Sequence, residues 1–153
     1  VTPAPKGVVI NPYLTFNGKC EEAFNFYKSV FGGKFSYFGR FKEMPPMDGQ
    51  PVPATEAEKV MHVSLPISNE TILMGSDASD MFGHAAIEGT NFSVSITAPS
   101  QAKADKLFTD LASSGKVTMP MNKTFWGSYF GMLVDKFSIQ WMVSVESNQN
   151  NQN

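Results

Sequence analysis

The stretch "PYLTFNGKCEEAFNFYKSVFGG", residues 12–33, changes its hydrophobic period partway along. Tyr13, Leu14, Thr15 and Phe16 are strand formers, and Asn17 and Gly18 supply a turn. Beyond the turn, Ala23, Phe24, Tyr27 and Phe31 recur at helical spacing, which predicts a helix with one apolar face. Glu21 and Glu22 suit the positive end of its dipole, and Gly32 and Gly33 stop it. "KFSYFGRF" from Lys34 predicts a second strand, and the Pro-rich "KEMPPMDGQPVPATEAE" a long hairpin loop. "KVMHVSLPI" and "TILMGSD" predict two more strands around a Ser68-Asn69-Glu70 turn.

The same order then returns. In "NFSVSIT", apolar Phe92, Val94 and Ile96 alternate with polar Asn91, Ser93 and Ser95, the mark of a half-buried strand. Ser100 is a good N-cap for the helix that follows. Ala104, Leu107, Phe108 and Leu111 form its apolar face, and Gly115 ends it. "KVTMPM", "WGSYFGMLVD" and "SIQWMVSV" predict three further strands. Phe24, Tyr27 and Phe31 precede Ala104, Leu107 and Leu111 by 80 positions each, with no gap. This is an internal duplication of a strand–helix–strand–strand–strand unit. Module one covers about residues 10–77, a connector 78–90 and module two 91–146, with a polar tail at 147–153 that reads as a frayed terminus. Each helix covers one face of its sheet. The other face is left to meet the second module or to form a concave wall, a common kind of ligand site.

Composition narrows the function classes. The chain has 153 residues, 42% of them hydrophobic, which is enough for a sizeable core. Its formal net charge is −2 and it has no basic stripe, which argues against a nucleic-acid partner. Its single cysteine allows no internal disulfide and fits a reducing compartment, so a cytoplasmic location is expected. No apolar run approaches the length of a membrane span, so no membrane partner is expected.

The paired βαβββ order resembles the vicinal oxygen chelate superfamily of glyoxalases, bleomycin-resistance proteins and dioxygenases. "PYLTFNGKCEEAFNFY", "MHVSLPISNETILMGSD" and "TFWGSYFGMLVDKFSIQWMV" look like its PhnB-like branch, also known as the 3-demethylubiquinone-9 3-methyltransferase domain. The D-K-F-x-x-x-W pattern of Asp135, Lys136, Phe137 and Trp141 belongs to that likeness. Ser138 stands where the family usually has glycine, which predicts an altered turn. The resemblance implies an α+β fold, two βαβββ modules in tandem forming a cup-shaped mixed sheet, and a homodimer. Methyl transfer is not expected, because no G-x-G-x-x-G occurs and the element order is not that of a doubly wound sheet.

The superfamily's enzymes hold a divalent metal through His and Glu on the cup face. By resemblance, the matching places are near Asn11 or Tyr13, near Leu73 or Met74, near Asn91 or Ser93, and at Gln140; none is His, Asp or Glu. No metal or other cofactor is expected there. Asp77, Asp80 and His84 in "DASDMFGH" form a fallback carboxylate–imidazole set, with a solvated linker as the blander alternative. His62 and Ser64 lie opposite in phase to Met61, Val63 and Leu65, which turns them toward the cup if those three face the helix. His62 is therefore the candidate general base or ligand contact, against the alternative of a structural histidine. Cys20, in the first helical turn, is either an activated thiol or a small buried hydrophobe.

Tyr13, Thr15, His62, Ser64, Met74, Ser93, Ser95 and Gln140 would line the cup, and Trp126 would stack on a ligand at its rim. Phe130 and Trp141 are assigned to the core. With no Arg or Lys placed in the cup, the expected ligand is a small, mostly neutral molecule rather than a phosphorylated one. Three functions compete: a metal-free small-molecule binding protein, which is preferred; a metal-dependent lyase, isomerase or dioxygenase; and an interaction module whose cup is filled by its own side chains.

Overall fold

A computed structural model describes residues 7–46, 49–80, 85–125 and 127–146. The chain divides into two compact units, one of Val1–Lys28 with Gly32–Ala86 and the other of Ser29–Phe31 with Ile87–Asn153.

The first unit carries β1 (Tyr13–Phe16), α1 (Cys20–Phe31) as far as Lys28, β2 (Tyr37–Arg40), β3 (Val60–Pro66) and β4 (Ile72–Asp77), with a 3-10 turn at Phe41–Glu43. Its four strands lie in the order β1-β4-β3-β2. β1 runs parallel to β4, with Tyr13 opposite Met74 and Thr15 opposite Ser76. The remaining pairs are antiparallel, with Ser64 opposite both Tyr37 and Met74.

Alternation along these strands sorts the sheet's two faces. Leu14, Phe16, Val63, Leu65 and Leu73 are buried toward α1 with Phe24 and Tyr27, each side chain contributing about 1.5–3 kcal/mol. The helix sits so close at Gly75 that a Cβ there would lie 2.6 Å from the Phe24 ring. The alternation slips once. Gly39 pairs with His62 but Arg40 pairs with Val60, so Met61 falls in a β-bulge. Val60 is therefore buried, while Met61, expected to face the helix, is only half-buried.

The second unit repeats the plan with β5 (Val94–Thr97), α2 (Gln101–Ala112), β6 (Lys116–Lys123), β7 (Ser128–Val134) and β8 (Gln140–Glu146). The order β5-β8-β7-β6, again with one parallel pair at β5 and β8, matches the first sheet strand for strand. Ser100 caps α2, its side chain accepting from the Lys103 N–H at 3.2 Å. Ala104, Leu107, Phe108 and Leu111 are buried, as the periodicity predicts.

Trp141 is also buried, but Phe130 is not in the core. It stays half-buried on the strand face opposite Leu133 and Trp141, because its even phase in β7 turns it away from α2. The D-K-F-x-x-x-W pattern is structural. Asp135 Oδ1 accepts from the Phe137 and Ile139 N–H groups at 2.8 and 3.1 Å, and Oδ2 accepts from Trp141 Nε1 at 2.8 Å. Ser138 takes φ of +70°, the left-handed region that favours glycine. The turn is thus one that glycine would enter with less strain.

Candidate functional site

The face of the first sheet away from α1 gathers Tyr13, Thr15, Ile72, Met74, Ser76, Ser64, His62 and Tyr37. No Asp, Glu, Lys or Arg stands on it among the described strand residues. His62 is the centre of its chemistry. Its Nε2 lies 2.8 Å from Ser64 Oγ, and its Nδ1 lies 3.4 Å from the Tyr13 hydroxyl. The imidazole ring is flanked on both sides, with the Tyr13 ring 5.7 Å away and the Tyr37 ring 5.8 Å away between centroids.

Strand phase and strand pairing build the arrangement together. The period of β3 puts His62 and Ser64 two residues apart on one face. Parallel pairing carries Tyr13 along β1 beside Met74. Gly39, opposite His62, leaves room for the Tyr37 ring to fold over it: a Cβ there would lie 2.7 Å from the Tyr37 hydroxyl.

Both ring nitrogens face hydroxyls, which can donate or accept, so either neutral tautomer is satisfied. The 2.8 Å contact to Ser64 is a normal hydrogen bond, while the 3.4 Å contact to Tyr13 is long and weak. A ligand oxygen can take the place of the Tyr13 hydroxyl at Nδ1 with little loss. Tyr13 and Tyr37 are each 47% exposed, which leaves apolar ring area open beside that position.

Five of the residues expected to line a cup therefore meet on this face: Tyr13, Thr15, His62, Ser64 and Met74. Ser95 and Gln140 lie in the second sheet, and Ser93 lies one residue before β5. Gln140 donates from Nε2 to the Phe92 carbonyl at 2.6 Å and to that of Gly89 at 3.5 Å, holding down the segment that leads into β5. Trp126 and His84 lie outside the described residues, as does the tail 147–153. Tyr37 was missed by sequence reasoning. Its signal was the alternation of Tyr37 with Phe38 just ahead of Gly39.

Of the fallback carboxylates, Asp77 is held by the backbone. Asp77 is 5% exposed and fully engaged by backbone. Its Oδ1 accepts from the Gly18 N–H at 3.0 Å and the Cys20 N–H at 2.9 Å, and its Oδ2 from the Val60 N–H at 2.9 Å. It caps α1 from the end of β4. Among the described residues no three His, Cys, Asp or Glu side chains group as metal ligands. None of the places matched by resemblance, near Asn11 or Tyr13 and Leu73 or Met74 in the first unit and near Asn91 or Ser93 and at Gln140 in the second, holds a His, Asp or Glu, and the Gln140 amide nitrogen points at carbonyls; residues of these types do not fit a divalent metal.

Cys20 is buried, with 0% exposure. Burial pushes its thiol well up from the ordinary range, and the charges of Asp77 and then Glu21 push the same way. It is the unreactive, hydrophobe-like cysteine of the two alternatives. No helix among the described residues is long and apolar enough to cross a membrane.

Comparison with known proteins decides the family. Residues 8–144 match the family model for 3-demethylubiquinone-9 3-methyltransferase. The chain belongs to that family. It is 31% identical to protein YjdN of Escherichia coli over 92% of this chain and 97% of that one. The crystal structure of protein PA1353 from Pseudomonas aeruginosa is 38% identical, covers 92% of this chain and 98% of that one, and superposes with a TM-score of 0.77. A PhnB protein from Bacillus cereus, bearing the same methyltransferase description, is 27% identical over 89% of this chain and 98% of its own, with a TM-score of 0.68. A glyoxylase/bleomycin resistance protein/dioxygenase domain from Frankia sp. EAN1pec shares the fold, with a TM-score of 0.64 over 94% of this chain and 100% of that one, at 14% identity. The α+β fold of paired βαβββ units and the PhnB-like membership inferred from the motifs are thereby established.

Proposed function

We propose that this chain binds a small, mostly neutral molecule on the open face of its first sheet, as a homodimer, without a divalent metal and without methyl transfer. The observation that carries the reading is His62, held between the Tyr13 and Tyr37 rings with Ser64 on one nitrogen and a weakly bound hydroxyl on the other. The two rings offer apolar contact, the imidazole offers one directional hydrogen bond, and the uncharged surroundings disfavour an anionic ligand. Binding is favoured over general-base catalysis because both ring nitrogens face neutral hydroxyls. An acid–base histidine is usually oriented by a carboxylate. Methyl transfer is set aside because the sequence has no glycine-rich nucleotide loop and the fold is not doubly wound.

Native mass spectrometry of untagged protein from rich medium, with and without a chelator, tests this. The expected species is a dimer carrying an organic adduct that survives the chelator and is lost in His62→Phe. A chelator-sensitive increment of one divalent ion per chain would instead place the protein among the metal-dependent lyases, isomerases or dioxygenases.

A further inference from the structure

We infer that the second unit's sheet holds a site for a soft monovalent cation, Cu(I) or its redox-inert analogue Ag(I), built from the thioethers of Met119, Met132 and Met142. The register places these three residues in one row. Met119 on β6 is opposite Met132 on β7, and Met132 is opposite Met142 on β8. Directly paired residues on neighbouring antiparallel strands point to the same face, with Cβ atoms about 5 Å apart.

That face is the one away from α2. Met142 alternates with Trp141 and Val143, and Met132 neighbours Leu133, all three of which are buried. Two register shifts flank Met119 in β6. Met121 shows how they resolve. Its Sδ would lie 2.6 Å from a Cβ on Gly131, next to the Phe108 ring of α2, so Met121 is on the helix side. Met119 stays with its partner Met132 on the open side.

Met119 is 43% exposed, and Met132 and Met142 are half-buried, so the row is within reach of an ion. Methionine has three rotatable side-chain bonds and a polarizable sulfur. The two outer side chains can lean over the central one and bring three sulfurs around one ion. Thioethers are soft, neutral donors that select Cu(I) and bind hard or borderline divalent ions poorly. The strands supply a rigid frame for the three Cα atoms. This site lies on a different sheet from the His62 face and does not depend on it.

The test is anaerobic titration of the full chain with Cu(I) against a chromophoric Cu(I) chelator. Uptake of one Cu(I) per chain is expected, with sulfur-only scattering in the X-ray absorption spectrum and no competition from Zn(II). Met132→Leu, a volume-conserving change, is expected to lower Cu(I) affinity by at least about tenfold, while Met121→Leu leaves it unchanged. With Ag(I) and methyl-labelled methionine, only the Met119, Met132 and Met142 signals of the wild-type protein should shift, a readout that needs no variant to fold. Failure to take Cu(I) from the chelator, nitrogen scattering, or shifts confined to other methionines would overturn the assignment.

Discussion

Replacing Asp77 separates a structural carboxylate from a metal ligand. Its three backbone N–H partners belong to Gly18, Cys20 and Val60, at 3.0, 2.9 and 2.9 Å. A hydrogen bond to a charged group contributes about 1.5–3 kcal/mol net, and an orphaned buried donor costs about 1–3 kcal/mol. In Asp77→Asn the amide oxygen can keep Gly18 and Cys20, but the amide nitrogen then meets the Val60 N–H, donor against donor. That change should cost about 2–4 kcal/mol.

Asp77→Ala orphans all three donors. The Gly18 N–H is only part-buried and can turn to water, so the total is about 4–6 kcal/mol, close to the whole stability of many domains. Urea unfolding, followed by far-UV circular dichroism with the slope checked for constancy, measures both. If Asp77→Asn lies within about 0.5 kcal/mol of wild type, the size expected of an unremarkable surface change, the capping argument is refuted. If a divalent ion raises the wild-type melting temperature but not that of Asp77→Asn, the carboxylate is a ligand instead.

Other expectations follow from single positions. Ser138→Gly relieves a φ of +70° and, after the added freedom of the unfolded chain, should stabilise by about 0.5 kcal/mol, read as a higher urea midpoint. Cys20 should resist iodoacetamide in the native protein and react in urea. Because its folded pKa is raised, the unfolded chain loses the thiol proton first, so stability should fall as pH rises above about 8.5, and Cys20→Ala should flatten that alkaline slope. Gly39→Ala would drive a Cβ to 2.7 Å from the Tyr37 hydroxyl; it should displace that ring from His62 and diminish the organic adduct, and an unchanged adduct would remove Tyr37 from the site.

Much of the fold is local information and was legible along the chain. Ala23, Phe24 and Tyr27 at helical spacing, and the alternation through Val63, Ser64 and Leu65, state which side of each element seeks apolar company before any partner is known. The repeat did the same for the second unit, and the phase of β3 put His62 beside Ser64. What the sequence could not state is which strand lies next to which, because backbone hydrogen bonds between strands do not depend on side-chain identity. Only that pairing brings Tyr13 to His62 across 49 positions, and only it lines up Met119, Met132 and Met142. Asp77 is the same lesson at one residue. An acid near another acid and a histidine is, in one dimension, a fallback metal ligand or a linker residue. In three it accepts from the Gly18 N–H and from the first N–H of α1, at Cys20, because parallel β1–β4 pairing ends β4 at the start of that helix.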